Sequence, residues 1–208
     1  MSRYRRNWIF SLCLLFLFAL ASVDKIAHQK IYRPNSPPAL IIADDTRKYN
    51  GQTFKVVKVV DGDTLDIDCP DGKYNHTRIR LLGIDTPEIS HSGSASMYFG
   101  PQAADFVRQH VLNQTVCVYL DSINKTRDKY DRLLAYVQLP DNTFLNEVLL
   151  EKGMAYADLR FKHQFYSRYP QLESLARHNK IGLWEHVTHD QFPEWLKQKN
   201  PNLLKKTD

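Results

Sequence analysis

Two Asp-Gly pairs, Asp61-Gly62 and Asp71-Gly72, separate three short β-rich runs, and no other stretch limits the fold of this chain as much. Phe54 to Val60 is dominated by apolar and β-branched residues. Thr64 to Cys69 alternates Leu65, Ile67 and Cys69 with Asp66 and Asp68, and Thr77 to Leu82 follows the second pair. Period-two alternation broken by tight-turn residues marks strands joined directly to their neighbours. Parallel strands need a crossover of a dozen or more residues, and the gaps here leave no room for one. The three runs read as a β-meander.

Beyond a polar segment from Ser90 to Gly100, the pattern changes to a helical period. Ala103, Phe106, Val107, His110 and Val111 share one face of a helix from about Pro101 to Leu112, with Pro101 suited to its first turn. Thr115 to Leu120 and Arg132 to Leu139 are two more strands, divided by a polar loop with Lys125, Arg127, Asp128 and Lys129. Two helices follow. Phe144 to Lys152 turns Leu145, Val148 and Leu149 inward and stops at Gly153, and about Tyr169 to His178 turns Leu172, Leu175 and Ala176 inward. Five short strands with about three helices, one of them between the third and fourth strands, predict an α+β, mainly β fold: a five-stranded Greek-key barrel of the OB type.

The two ends of the chain read differently from this middle. Arg3, Arg5 and Arg6 precede an uncharged run from Trp8 to Val23 that ends in Ala19-Leu20-Ala21-Ser22, the pattern of a signal peptide over residues 1–21. That run is shorter than the roughly 20 residues of a membrane span, and an uncleaved anchor stays open as the alternative. Residues 22–51, with Pro34, Pro37 and Pro38, read as a linker, 52–186 as the folded domain and 187–208 as a Lys-rich tail. The whole chain carries a formal charge of +5, but without its first 21 residues the balance is 25 basic against 23 acidic, or +2. Global charge is therefore weak support for a nucleic-acid partner, and attraction has to come from local patches or bound metal. Cys69 and Cys117 are the thiols left after cleavage, and whether they pair stays open. His186 and His189 lack the partners of a transition-metal motif.

Three stretches carry chemistry: Asp61-Gly62-Asp63-Thr64, the run from Arg80 to Glu88, and Asp128-Lys129-Tyr130-Asp131-Arg132. They combine carboxylates suited to a hard cation with guanidinium forks suited to phosphate oxygens. Taken singly, Asp61-Gly62 is a type I′ turn and Asp85 to Glu88 is a helix-capping box. Together they point to phosphodiester chemistry.

In their order and spacing, the Asp-Gly-Asp-Thr turn, the Arg-Leu-Leu-x-x-Asp-Thr-Pro-Glu run and the Asp-Lys-Tyr-x-Arg run resemble the thermonuclease family typified by staphylococcal (micrococcal) nuclease. The resemblance covers roughly Gln52 to His186. It implies an OB barrel that hydrolyses DNA and RNA with Ca²⁺ and leaves 3′-phosphate ends. On matching positions it implies that Asp63, Asp85 and the Thr86 carbonyl hold Ca²⁺, that Glu88 takes or orients the attacking water, and that Arg80 and Arg132 clamp the phosphate. Lys129 and Tyr130 match nucleotide contacts, and Phe161 stands where a base-stacking tyrosine does. The chain departs from the family pattern at Asp131 and Leu133, where the staphylococcal enzyme has glycines, and at Leu159, in place of a second tyrosine. A secreted or periplasmic monomer with nucleic-acid substrates and no obligate protein partner is expected. The alternatives are a barrel that binds nucleic acid without cutting it, and a membrane-anchored interaction protein.

Overall fold

The computed structural model describes residues 38–90 and 95–204. The expected signal peptide, the first part of the linker and the last four residues lie outside the described residues. In chain order the elements are helix α1 (Pro38–Tyr49), strands β1 (Gln52–Val59), β2 (Thr64–Ile67), β3 (Thr77–Leu81) and β4 (Ile84–Asp85), helix α2 (Gly100–Val111), strands β5 (Thr115–Leu120) and β6 (Leu133–Gln138), helix α3 (Leu145–Glu151), strand β7 (Tyr156–Ala157), helix α4 (Tyr169–His178), 3₁₀ turns at Gly182–Glu185 and His189–Gln191, and helix α5 (Glu194–Lys199).

The expected barrel is present, with strand order β1-β2-β3-β6-β5 closing on itself. All its ladders are antiparallel except β3 with β6, which is parallel and pairs Ile79 with Leu133. The alternation seen in sequence fills the interior, where Val56, Leu65, Ile67, Ile79, Leu81, Val118, Leu133, Ala135 and Val137 are buried. Each such aliphatic side chain larger than alanine stabilises the fold by about 1.5–3 kcal/mol relative to exposure. Strands β4 and β7 pair with each other in a separate two-stranded sheet.

The described residues hold five α-helices, two more than expected. One replaces the latter part of the linker. In α1, Tyr49 is fully buried with its hydroxyl 3.0 Å from Thr77 Oγ1, and Asp45 is buried as well. Arg127 explains that burial. Its Nε and NH2 donate to the two Asp45 oxygens at 2.8 Å each, its NH1 and NH2 donate to Asp71 at 2.6 and 3.2 Å, and NH1 also donates to the Asp131 carbonyl at 3.1 Å. All five guanidinium N–H donors are used. This clasp joins α1, the turn at Asp71 and the loop before β6.

The second extra helix, α5, lies in the expected tail. Val187, Phe192 and Leu196 are buried with Tyr156, Ala176, Leu183 and Trp184 in a small second core, against which Trp195 packs. Trp184 and Phe192 both meet the Tyr156 ring edge-on, at 5.4 and 5.8 Å between centroids. The folded structure therefore runs past His186.

Helix faces differ from expectation where a tertiary partner decides. On α2 the buried set is Gly100, Ala103, Ala104, Val107 and Val111, while His110 is exposed and stacks on Phe106. On α4 the inward residues are Tyr169, Glu173 and Ala176, and Leu175 is 59% exposed. Glu173 lies inside because its carboxylate faces the Ala157 N–H at 3.4 Å and Arg177 at 3.7 Å. Burial holds the Glu173 carboxyl up, at about 7, against the opposing pull of Arg177. Cys69 and Cys117 are free thiols. Gly153, at φ +61°, ends α3 as expected. No helix among the described residues is long and apolar enough to cross a membrane.

Candidate active site

The pairing of β2 with β3 sets Thr64 opposite Arg80, and the Leu81 N–H donates to the Asp63 carbonyl at 2.8 Å. Asp63 is thereby fixed at the mouth of β2, alongside the strand that carries Arg80. Five residues beyond Arg80, β4 carries Asp85. The Arg80 guanidinium spans both acids, with NH1 2.5 Å from Asp63 Oδ2 and NH2 2.6 Å from Asp85 Oδ1. NH1 also lies 3.0 and 3.3 Å from the Ile84 and Leu81 carbonyls. That single nitrogen faces three oxygens with two hydrogens.

Gly62 does not form the type I′ turn that its sequence suggests. Neither Asp61 nor Gly62 has a positive φ. Glycine is needed because a Cβ there would lie 2.7 Å from Thr86 Oγ1. The close approach brings the Asp61–Asp63 turn against Thr86, whose N–H donates to Asp63 Oδ2 at 3.0 Å. Asp61 Oδ1 in turn accepts from the Asp63 N–H at 3.0 Å.

The capping-box reading of Asp85 and Glu88 also fails, since the described chain after Pro87 is not helical until Gly100. Glu88 lies at the exposed rim, and its carbonyl accepts the Met97 N–H at 2.9 Å. Burial raises the Asp63 carboxyl to about 6, with Arg80 opposing. Asp85 is raised by burial and then by Asp63, against Arg80, Trp195 and Arg160. Glu88 is raised by its partial burial and then by Asp63 and Asp85, against Arg80 and Arg132. Burial works against the Arg80 charge, and the surrounding aspartates, Asp63 and Asp85 foremost, together more than offset it. Asp63, Asp85, Glu88, Arg80 and Arg132 thus share one electrostatic neighbourhood.

Arg132 is held by Asp128, which accepts from its Nε and NH2 at 2.7 Å each and from its main-chain N–H at 3.0 Å. Asp128 also accepts the Tyr130 N–H at 2.9 Å, so this acid, given no role from sequence, shapes the whole turn. Asp131 has φ +63°, the conformation a glycine adopts readily, and its carboxylate lies 3.7 Å from Arg127. Lys129 Nζ stands 4.8 Å from the centre of the Tyr130 ring, and Arg132 stands 5.4 Å from it. Tyr130 and Phe161 are 67% and 65% exposed, two aromatic faces open to solvent.

Two residues beside the site went unnoticed in the sequence. Arg160 donates to Asp85 Oδ1 at 3.2 Å and to both oxygens of Asp158 at 2.8 Å. Trp195 Nε1 donates to Asp85 Oδ2 at 2.7 Å, and the Arg160 guanidinium lies 4.7 Å from the centre of the Trp195 ring. Arg160, between Leu159 and Phe161, carries no spacing signal of its own, and Trp195 lies in the segment that reads as a tail.

An OB barrel that gathers a buried and a half-buried carboxylate around one guanidinium, with a third carboxylate and a second arginine in the same field, defines a phosphodiester hydrolase. A family model described as "Staphylococcal nuclease homologue" matches residues 78–186, and the chain belongs to that family of nucleases. It is 38% identical to the thermonuclease of Staphylococcus hyicus over 136 residues, covering 65% of this chain and 77% of that protein. The thermonuclease of Staphylococcus intermedius is 35% identical over the same span. An uncharacterized endonuclease of Escherichia coli O157:H7 is 31% identical over 148 residues, 68% of this chain and 82% of its own length.

Proposed function

We propose that this chain is a Ca²⁺-dependent nuclease that hydrolyses DNA and RNA with low sequence specificity and leaves 3′-phosphate ends. It acts as a monomer outside the cytoplasm, secreted or periplasmic, after loss of residues 1–21. The observation that carries this reading is the Arg80 guanidinium held between Asp63 and Asp85.

The donor set fits a hard divalent ion. Asp63 and Asp85 already share one cation, and burial together with a neighbouring acid, Asp61 beside Asp63 and Asp63 beside Asp85, pushes each carboxyl up, so a second positive charge between them is favoured. No group of three His, Cys, Asp or Glu side chains among the described residues gathers for a metal. The candidate ligands are correspondingly few, Asp63, Asp85 and the Thr86 carbonyl, which suits an ion that retains water and takes substrate oxygens. Bound there, Ca²⁺ supplies positive charge against the negative charge that builds on the phosphate.

The remaining work belongs to side chains. Arg80, held beside Asp63 and Asp85, would offer its fork to a phosphate oxygen. Arg132, released from Asp128, grips another, and a guanidinium stays charged throughout the reaction. Glu88, raised by burial and by its acidic neighbours, is suited to hold a water and take its proton. Lys129, Tyr130 and Phe161 form the nucleotide-binding rim, the aromatic faces offering sequence-tolerant stacking.

The test uses residues 22–208, end-labelled DNA and RNA, and either Ca²⁺ or a chelator, with Arg80→Ala and Glu88→Ala alongside. Ca²⁺-dependent cleavage that leaves 3′-phosphate ends and is lost in both variants is expected. No cleavage by the unmutated protein with Ca²⁺ rejects the enzyme, and undiminished cleavage by the variants rejects the assignment of residues. Fractionation of cells making the full chain tests export.

A further inference from the structure

We infer that Trp195 is a positioning residue for the reaction, an indole donor that holds the Asp85 carboxylate in the orientation from which it meets the metal ion; this rests on the reading of Asp85 as a ligand. Among the described residues, three side chains of two kinds reach the Asp85 carboxylate. Arg80 and Arg160 reach Oδ1, at 2.6 and 3.2 Å, while Trp195 Nε1 reaches Oδ2 at 2.7 Å. The two guanidiniums are cations and would be repelled by an ion arriving at that carboxylate. The indole is neutral. Its hydrogen bond can persist when a cation takes the other oxygen, leaving Asp85 fixed from behind and open in front. A ligand carboxylate gains in this way from a donor outside the coordination shell, and losing such a partner typically costs about 10- to 100-fold in metal affinity or activity.

The rest of α5 holds the indole in place. Phe192 and Leu196, on either side of Trp195 in the chain, are 2% and 3% exposed in the second core, and Lys199 Nζ donates to the Leu159 carbonyl. Arg160 lies against the ring and is itself fixed by Asp158 at 2.8 Å. Each contact restrains a side chain that touches Asp85. Apolar anchoring alone would not require Trp at position 195, since Phe would pack as well; the N–H is the group that distinguishes them.

Calorimetric titration of Ca²⁺ into the full chain and into Trp195→Phe tests this, with thermal unfolding recorded for each. The expected result is an affinity about tenfold lower in Trp195→Phe at a nearly unchanged Tm, with nuclease activity recovered at raised Ca²⁺. Equal affinity in the two proteins overturns the inference while the proposed function stands. If the unmutated protein takes up no Ca²⁺, both fall together. A lowered Tm with unaltered affinity per folded molecule assigns Trp195 to packing and also overturns it. A second measurement needs no variant. Hydrogen exchange of the Trp195 indole N–H, followed by NMR on the unmutated chain, is expected to slow on Ca²⁺ addition; acceleration shows that the bond to Asp85 breaks and overturns the inference.

Discussion

Arg80 and Arg127 each bridge two aspartates, with side-chain exposures of 13% and 9%, yet the two clusters are built to opposite ends. Around Arg127 every N–H has an oxygen, Asp45 receives a two-pronged grip, and Thr126 adds a hydroxyl to Asp45 at 2.7 Å. Donors and acceptors match. Around Arg80 oxygens outnumber hydrogens at NH1, a second guanidinium is drawn in at Asp85, and burial raises three carboxyls in one neighbourhood. A balanced cluster fastens segments; an oversubscribed one has capacity for another cation. Buried ion pairs by themselves therefore say little about role, and the count of unmet acceptors says more.

Substitution should separate the two clusters. Arg80→Ala is expected to lower kcat by about 10³-fold, the scale on which a phosphate-facing guanidinium acts, with a much smaller change in KM. Ca²⁺ should raise the Tm of that variant by neutralising the acids left behind. A loss below tenfold in steady-state assays would place Arg80 with the structural cluster. Arg127→Met is expected to destabilise the fold by about 3–5 kcal/mol in denaturant titrations, because the buried Asp45 and the half-buried Asp71 lose their counterion. Its activity per folded molecule should stay near that of the unmutated chain, and Ca²⁺ should not restore its stability.

Glu173 is an intermediate case, a buried acid with Arg177 3.7 Å away. Its folded carboxyl lies at about 7 against an ordinary 4.5, so the fold favours the protonated form. Below pH 4.5 the group is protonated in both states and costs nothing; as pH rises from there to 7 the unfolded chain releases its proton first, and stability falls. Glu173→Gln should remove about 1–3 kcal/mol of that decline, read from unfolding at pH 4.5 and pH 8. The smallest effect is at Asp131. Asp131→Gly should stabilise by about 0.5–1 kcal/mol in the same titrations, because glycine adopts its positive φ without strain while the carbonyl bond to Arg127 is kept.

The barrel was legible because its strands bury one face against a common core, so Leu65, Ile67, Ile79 and Val118 show the required period. The site residues could be named but not joined: order and spacing marked Asp63, Asp85, Glu88, Arg80 and Arg132, whereas the guanidinium bridging the acids follows from the β2–β3 register. Helix α1 was missed because a buried Asp45 looks like solvated chain until Arg127 arrives from 82 positions away. Pro38 at its first turn was the available signal. Helix α5 is six residues long, too short to show a period, and its Trp195 and Leu196, with Phe192 just before it, acquire meaning only against Tyr156 and Asp85. Leu175 and Glu173 exchanged places for the same reason: a partner in another segment outweighed hydropathy.

The parallel ladder between β3 and β6 joins the two segments that carry the candidate arginines. Ile79 and Leu133 are distant in sequence, so this seam exists only once two separate segments of the chain have met. Arg80 lies on β3 opposite Leu134, and Arg132 directly precedes β6. The two arginines therefore flank the same seam. A chain caught with its barrel open contains every candidate side chain and has no means of presenting them to one phosphate, so the act of closure is also the act of arming.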